Sequence, residues 1–359
     1  MSIKKVFLSD VHMSTWIHKN QSNSHDYRWL SDIDAGEFSK CLNYLCGKDE
    51  YNEIVLLGDM FDNWVCPINE MPPSMNDIFE DPCNSAVIAS LQGIAKKTTY
   101  FTGNHDMQVT KKDITTLFPG MKWGVSVYYD NRLVAEHGHG HAMFNKQDYE
   151  DDHVESLPLG YFISRVMATK AAKTGSDSIS YIKHVNEIFK FLVDKSKIPI
   201  GVFDAVVEEA QLKPEDEIFM RDRSSIKVGE VREKYDSLYN NWLIKTSPHE
   251  TLLSIIAETT LFGGLGASAD YISKKDGMQI VIFGHSHIPE LSRINYNKSV
   301  YANTGTWCKK TFQEDYYISK PYNLVITEEF DDKYIVKLCC WESDKTDPIF
   351  VEYVESIDK

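Results

Sequence analysis

Short apolar segments followed by polar and glycine-containing residues recur near both ends of the chain. Segments of this length, rich in β-branched and aromatic residues, are typical of buried β-strands. The earlier ones lie at 6–8, 54–57 and 99–101, and a similar one lies at 280–283. Further segments of the same character, at 299–302, 323–327 and 334–339, predict additional strands towards the end of the chain.

Helical periodicity fills the intervals between the first three predicted strands. Within 36–46, apolar residues stand at 38, 41, 42, 45 and 46, which is the spacing of one helix face. The segment 85–94 repeats this signal before the third strand. Strands that alternate with helices predict an α/β fold with a buried parallel sheet, in which sites form at the carboxyl ends of the strands.

A long central segment, 146–276, has a different pattern. Apolar residues recur at helical spacing over 181–193, and a second apolar run covers 252–265, so we expect a mainly helical insertion. The predicted organisation is one domain made of 1–145 and 277–359, interrupted by this insertion. We expect the insertion to be a cap or lid over the site. A packed subdomain without a gating role is the alternative.

Composition and charge narrow the class of protein. The 359 residues are 42% hydrophobic and 25% charged, which is typical of a globular protein. The net charge of -15 disfavours binding to nucleic acid or to an anionic membrane surface. Seven cysteines without a CxxC pair, no signal-peptide pattern at the start and no run of about 18 apolar residues lead us to expect a cytoplasmic protein without a transmembrane segment. The oligomeric state stays open.

Side chains that bind metals follow the predicted strands. Seven of the 12 histidines lie in such groups. The groups are Asp10 with His12; Asp59 with Asp62; Asn104 with His105 and Asp106; His137 with His139 and His141; and His285 with His287. Any one group is typical of a turn or a helix cap. Five groups at strand ends, where the side chains of a parallel sheet converge, predict one shared site.

The residue types indicate the chemistry of that site. Carboxylate, imidazole and amide ligands without thiolate favour manganese, iron or zinc. Two such ions, about 3.5–4 Å apart, share a bridging carboxylate and activate a water molecule for attack. The groups contain enough acids and histidines for two ions. We therefore expect two divalent ions, with Mn²⁺ favoured and Fe or Zn as alternatives.

Taken in order, the motifs Asp-x-His, Gly-Asp-x-x-Asp, Gly-Asn-His-Asp, His-Gly and Gly-His-x-His resemble the five-block signature of the calcineurin-like metallophosphoesterases. The resemblance covers about 1–145 and 277–310, and it implies an αββα sandwich with a dinuclear centre. It also implies the ligands: Asp10, His12 and His287 for one metal, Asn104, His137 and His285 for the other, and Asp59 as the bridge.

The same resemblance implies roles around the metals. His105 corresponds to the histidine that meets the leaving-group oxygen or a phosphoryl oxygen, and Asp106 to the residue that orients it. Asp62 is expected to brace the site, and Asn303 lies in an Asn-x-Gly turn that commonly follows the last block. Only one histidine of the fourth group is needed as a ligand, so His139 is assigned a supporting role.

The segment 58–64 more narrowly resembles the UDP-diacylglucosamine pyrophosphohydrolases, which also carry a helical insertion before the last motif. Those enzymes typically have arginine at the position of His105 and a shorter insertion. The expected function is hydrolysis of a small phosphomonoester, phosphodiester or pyrophosphate by a metal-bridging hydroxide. The alternatives are a nuclease of the same chemistry, which the net charge of -15 disfavours, and a catalytically silent interaction protein, which should lack a ligand.

Overall fold

The computed structural model describes six stretches of the chain, namely 2–15, 28–146, 157–174, 198–245, 264–311 and 320–359. Their helices are α1 (Asp32–Cys46), α2 (Met75–Glu80), α3 (Ser85–Ile94), α4 (Lys111–Leu117), α5 (Leu159–Thr174), α6 (Ile198–Glu209), α7 (Val228–Lys245) and α8 (Gly264–Asp276). The helices predicted at 36–46 and 85–94 are confirmed as α1 and α3. The predicted helix at 181–193 and most of the run at 252–265 lie outside the described residues.

A seven-stranded sheet contains the first three predicted strands. Its spatial order is β14 (Ile349–Asp358), β13 (Lys333–Trp341), β12 (Asn323–Glu329), β1 (Ile3–Leu8), β2 (Tyr51–Leu57), β3 (Thr98–Phe101) and β4 (Lys122–Trp123). β1 to β4 are parallel, as expected when helices such as α1 and α3 connect consecutive strands. β12 to β14 add an antiparallel half, of which β14 was not predicted.

A second sheet of five strands lies beside the first. Its order is β10 (Glu290–Ile294), β11 (Ser299–Asn303), β9 (Ile280–Phe283), β6 (Leu133–Ala135) and β5 (Tyr128–Asp130). The central strand β9 is parallel to both β6 and β11. The strand predicted at 280–283 is thus confirmed, and it belongs to a separate sheet whose carboxyl ends bring the last motif to the site.

The apolar side chains divide the molecule into four layers. Phe7 and Val55 of the first sheet form a buried core with Ile282 and Ala302 of the second. Helices α1 and α3 cover the outer face of the seven-stranded sheet, and α8 covers the outer face of the five-stranded sheet. This order of helix, sheet, sheet and helix is the αββα sandwich that the resemblance implied.

The described part of the central segment has a core of its own. Helices α5, α6 and α7 pack together with an unpredicted hairpin of β7 (Glu217–Phe219) and β8 (Ser225–Lys227). Trp64 and Ile68, which follow β2, belong to this same core. Helix α8 lies within 146–276 but packs on the five-stranded sheet. None of the helices in the described ranges is both long and apolar enough to cross a membrane.

Candidate metal centre

Backbone hydrogen bonds join the loops that follow β1 and β2, and the side chains of Asp59 and Asp106 join the loop after β2 to the loop after β3. The amides of Val11 and His12 both donate to the carbonyl oxygen of Asp59 at 2.9 Å. Glycines permit this close approach: a Cβ on Gly58, whose φ is +86°, would lie 2.3 Å from the amide nitrogen of Gly103, and a Cβ on Gly103 would lie 2.2 Å from Oδ1 of Asp59. The Gly-Asp and Gly-Asn motifs therefore set the spacing between their loops.

One group of ligand atoms comes from the loops after β1 and β9. Nε2 of His12 lies 3.0 Å from Nε2 of His287, which lies 3.2 Å from Oδ1 of Asp10. All three side chains are buried, and Oδ1 of Asp10 has no hydrogen-bond partner among the described residues. Its other oxygen, Oδ2, accepts from the amide of His285 at 3.0 Å and contacts the hydroxyl of Ser9. Ligand atoms bound to one ion at about 2.1 Å are about 3.0–3.4 Å apart, and two sides of this triangle have these dimensions. The third side, from Nε2 of His12 to Oδ1 of Asp10, is longer, at 3.8 Å.

A second group combines residues from β2, β3, β6 and β9. Nε2 of His137 lies 3.1 Å from Oδ2 of Asp59 and 3.1 Å from Oδ1 of Asn104. Asp59, His137 and His285 offer ligand atoms within 4.8 Å of one another. The amide nitrogen of Asn104 donates to Oδ1 of Asn145 at 3.3 Å, which turns the carbonyl oxygen of Asn104 towards His137.

The protonation of His137 tests whether a cation fits this group. Nδ1 of His137 lies 2.8 Å from the carbonyl oxygen of Leu57, an acceptor only, so Nδ1 carries the proton. The opposite nitrogen, Nε2, faces the acceptor oxygens of Asp59 and Asn104. A positive charge between these atoms is required, and it is supplied by a proton on Nε2 or, once that proton has left, by a divalent ion. The residues of this group therefore fit a metal ion.

Asp59 lies between the two groups. Its Oδ2 is 3.1 Å from Nε2 of His137 in one group and 3.8 Å from Nε2 of His12 in the other. Its Oδ1 accepts the backbone amide of His105 at 2.8 Å. One oxygen is thus held by the backbone while the other faces both groups, which is the arrangement that a bridging carboxylate needs.

The backbone of these residues is strained. Five residues with φ in the left-handed region belong to the two groups: Asp10 (56°), His12 (50°), Asp59 (51°), His285 (69°) and His287 (57°). Each costs on the order of 1 kcal/mol or more for a residue other than glycine. Such strain concentrates at functional sites, where the surrounding structure holds it in place.

Buried charges shift the pKa values within the site. Burial alone would lower the pKa of His12, but its hydrogen bonds to Asp10 and Asp62 and the charge of Asp59 raise it to about 10. Burial opposes the change at His137 too, yet the charges of Asp59 and Asp10 raise its pKa to about 9. Burial raises the pKa of the Asp59 carboxyl, but the charges of His137 and His105 bring it well below its ordinary value. The acids are therefore ionised, whereas His12 and His137 hold protons that a bound metal ion would displace.

His105 lies beside the first group, with its ring 4.7 Å from that of His12. Its Nδ1 is 3.1 Å from Oδ2 of Asp62. Oδ2 of Asp62 also lies 3.2 Å from Nδ1 of His12. Asp62 therefore braces a ligand and contacts His105, whereas the resemblance assigned the orienting role to Asp106.

Asp106 instead supports the backbone of two loops. Its Oδ2 accepts from the amide of Met60 at 2.8 Å and from the hydroxyl of Tyr100 at 2.6 Å, and its Oδ1 accepts from the amide of Gly103 at 2.6 Å. Burial and the charge of Asp59 raise the pKa of this carboxyl to about 6. The turn at 103–106 curls back towards the loop after β2, so the carboxylate points to amides and not to the neighbouring imidazole.

The remaining predicted residues lie around the centre. Nδ2 of Asn303 donates to the carbonyl oxygen of Gly284 at 2.7 Å and thereby holds the last motif. His139 is half-buried, with its ring 5.4 Å from that of His137, and burial together with the charge of His137 lowers its pKa to about 3. His141 lies 2.8 Å from Oε1 of Glu136.

Two residues of the site were not predicted from the sequence. The ring of Trp29 lies 4.7 Å from that of His12 and 5.2 Å from that of His105, and its buried indole nitrogen has no hydrogen-bond partner within the part of the chain that the structure describes. Asn145 contacts Asn104 and lies 3.5 Å from Nε2 of His285. Neither belongs to a motif. Only the position of Asn145 a few residues after the fourth group could have indicated it.

An αββα sandwich whose strand ends gather histidine and aspartate around sites that fit divalent ions defines a metallophosphoesterase, a class of hydrolase. Residues 3–289 match the calcineurin-like phosphoesterases, and the chain belongs to this family. None of the curated proteins compared with the chain matches it.

Several solved structures are similar to the chain at low sequence identity. A conserved uncharacterized protein from Streptococcus pneumoniae TIGR4, a predicted phosphoesterase, is 10% identical, with a TM-score of 0.34 over 100% of this chain and 99% of that chain. Vacuolar protein sorting 29 from Cryptosporidium parvum is 9% identical, with a TM-score of 0.35 over 100% and 99%. A putative 5'-nucleotidase from Staphylococcus aureus is 10% identical, with a TM-score of 0.31 over 100% of this chain and 54% of that chain. Similarity at this level does not indicate a substrate.

Proposed function

We propose that the protein hydrolyses a small phosphorylated substrate with the help of two divalent ions. In this proposal one ion is held by Asp10, His12 and His287, the other by Asn104, His137 and His285, and both by Asp59. The observation that carries the proposal is the position of Asp59, whose Oδ2 lies 3.1 Å from Nε2 of His137 and 3.8 Å from Nε2 of His12. A carboxylate oxygen between two sets of ligands supports a dinuclear centre.

The ligand types guide the choice of metal. Carboxylate, imidazole and amide donors suit manganese, with iron or zinc as alternatives. Two bound ions would polarise the phosphoryl oxygens and lower the pKa of a bound water to about 7.

The reaction also needs a proton donor, and His105 fits that role. The residue is 7% exposed, and its imidazole lies beside the first ligand group and faces the carboxylate of Asp62. His105 would therefore donate a proton to the leaving-group oxygen while Asp62 keeps the ring next to the metals.

The substrate is proposed to be small, either a phosphomonoester, a phosphodiester or a pyrophosphate. The net charge of -15 argues against a nucleic-acid groove, and the complete ligand set argues against a silent scaffold. We propose that 1–145 and 277–359 supply the chemistry and that 146–276 shapes the pocket, since both ligand groups lie outside this segment. Helix α8 is the exception, because it packs on the five-stranded sheet.

Metal analysis of the purified protein, paired with a panel of phosphomonoesters, phosphodiesters, nucleotides and nucleotide-sugar lipids, tests the proposal. We expect two ions per chain and hydrolysis of at least one class of ester that stops after chelation and returns with Mn²⁺. A chain that binds two ions but hydrolyses no member of the panel would contradict the enzymatic proposal. A chain that binds a single ion would contradict the bridging role of Asp59.

A further inference from the structure

The first helix of the central segment carries an arginine that is fully buried. Arg165 of α5 is 0% exposed. Its guanidinium donates to six oxygens: the carbonyls of Cys66 (2.7 Å), Pro67 (2.7 Å), Ile68 (3.4 Å), Glu70 (2.7 Å) and Phe219 (2.9 Å), and the hydroxyl of Tyr161 (2.7 Å). All six acceptors are neutral, so this arginine binds the backbone in place of a carboxylate.

Four of these carbonyls belong to the segment 66–70, which begins four residues after Asp62, the last residue of the Gly-Asp-x-x-Asp motif. The amide of Ile68 donates to Oγ1 of Thr169 on α5 at 2.9 Å, and the carbonyl of Ile68 accepts from the amide of Phe219 on β7 at 2.8 Å. The segment is thus fixed between α5 and β7. Because a buried charge is costly unless its hydrogen bonds are complete, the arginine and the shape of this segment depend on each other.

Trp64 connects this segment to His105. The indole of Trp64 is fully buried and stacks on the imidazole of His105, with ring centroids 4.4 Å apart and an interplanar angle of 26°. Tyr161 of α5 meets the same indole edge-on, at 5.7 Å and 90°. The hydroxyl of this tyrosine is one of the acceptors of Arg165. A continuous set of contacts therefore runs from the arginine to the imidazole.

Packing contributes to the orientation of His105. Its Nδ1 lies 3.1 Å from Oδ2 of Asp62. The ring is also held between two indoles, stacked on Trp64 and tilted against Trp29 at 5.2 Å. A general acid must lie within hydrogen-bond reach of the leaving group, and a displacement of about 1 Å costs on the order of 10²-fold in rate.

We propose that Arg165 and Tyr161 act through Trp64 as positioning residues for His105, so that helix α5 sets the orientation of the proposed proton donor. The inference rests on the function proposed above for His105. It assigns the central segment a part in the chemical step, in addition to its part in choosing the substrate. The six acceptors also explain why an arginine is needed at this position, because arginine has five N–H donors and lysine has three.

Three variants test the proposal, with a fourth as the matched control. Trp64→Phe replaces the indole that stacks on His105 with a smaller ring. Tyr161→Phe removes the hydroxyl that accepts from Arg165. Arg165→Lys keeps the positive charge but removes the planar guanidinium. Lys170→Met is the control, because Lys170 lies on the same helix but pairs with Glu209 at 2.6 Å. Each variant is compared with the unaltered protein for metal content, thermal stability and turnover of an alkyl ester and its nitrophenyl counterpart.

A variant that disturbs His105 should keep both ions and lose activity selectively. We expect a loss on the order of 10²-fold for the alkyl ester, which needs a proton, and only a few-fold for the nitrophenyl ester, which does not. The side-chain ¹⁵N resonances of His105 in the metal-free protein, assigned from their loss in His105→Ala, should shift in these variants. They should not shift in Lys170→Met.

The proposal is overturned if the folded variants match Lys170→Met in both the ratio of the two esters and the His105 resonances. Should Arg165→Lys not fold, Trp64→Phe and Tyr161→Phe decide the question. Absence of hydrolysis by the unaltered protein would contradict the proposed function alone, because the resonances still report whether α5 orients the imidazole.

Discussion

Asp62 lies against the imidazole of His105, with 3.1 Å between Oδ2 of the acid and Nδ1 of the histidine. The same oxygen is 3.2 Å from Nδ1 of His12, and Oδ1 accepts the amide of Trp64 at 2.8 Å. This carboxylate therefore contacts both a proposed metal ligand and the proposed proton donor. It also fixes the start of the segment that packs against α5. Asp62 therefore links the proposed metal binding by His12 to the proposed proton transfer by His105.

Replacement of Asp62 by asparagine tests this coupling. Asp62→Asn keeps the shape of the side chain but removes the charge that faces both imidazoles, so we expect a fall of about 10- to 100-fold in metal affinity or activity. Metal titration and turnover measure the two effects. Asp204→Asn is the control, because this acid pairs with Arg232 on the surface, far along the chain from any ligand. If the two variants had the same metal affinity and turnover, Asp62 would have no role in metal binding or catalysis.

Replacement of Asp59 by alanine should abolish binding of both ions, since Oδ2 of Asp59 faces both groups of ligands. Metal analysis after dialysis against a weak chelator measures this. Replacement of a residue from one group only, as in His287→Ala, should weaken the binding of one ion more than that of the other. Retention of two tightly bound ions in Asp59→Ala would show that the carboxylate does not bridge.

Replacement of His105 by alanine should leave both ions bound but slow the reaction, because this side chain is not among the residues proposed to hold the metals. Loss of a general acid typically costs about 10²–10⁴-fold. The loss should be large for an alkoxide leaving group and small for nitrophenolate, which leaves without a proton. Similar losses on both esters would indicate that His105 binds the phosphoryl group instead.

Gly103→Ala should damage the centre without touching a ligand directly. A Cβ at this position would lie 2.2 Å from Oδ1 and 2.7 Å from the amide nitrogen of Asp59, so the acid must move. We expect lower metal occupancy. Gly36→Ala, in α1, meets nothing within 4 Å and should instead raise stability by about 0.5–1 kcal/mol. Thermal melts with and without Mn²⁺ separate the two results.

Thiol labelling tests the burial of the cysteines. Burial raises the pKa of Cys66, Cys339 and Cys340 to about 12 each, so these thiols remain protonated and unreactive between pH 7 and 9. Cys46 is exposed and should react with iodoacetamide in the folded protein. Mass spectrometry of labelled peptides before and after unfolding gives the pattern. Labelling of Cys66 in the native state at pH 8 would contradict its position in the core.

The strands β1, β2, β3 and β9 could be predicted because each is a short apolar run that ends in polar residues. In the structure, α1 begins at a capping box of Ser31 and Asp34, a few residues before the helical face predicted at 36–46. The pattern alone predicted one parallel sheet. That the strands belong to two sheets followed only from the family resemblance, since periodicity does not show which strands pair.

The ligand groups could be predicted because parallel strands bring their carboxyl ends to one edge. The directions of individual side chains could not. Asp106 follows His105 in sequence, but the turn aims its carboxylate at the amide of Met60, and Asp62 reaches the imidazole from another loop. Trp29 stands in no motif and comes to the histidines only through the tertiary fold.

Left-handed backbone conformations lower the stability of the protein at residues that its proposed activity needs. These residues are Asp10, His12, Asp59, His285 and His287. Strained dihedrals raise the free energy of the metal-free protein, and bound ions would offset that cost. Glycine at any of these positions relieves the strain but removes a ligand. Sequences selected for thermal stability alone, without a demand for catalysis, should therefore lose these side chains first.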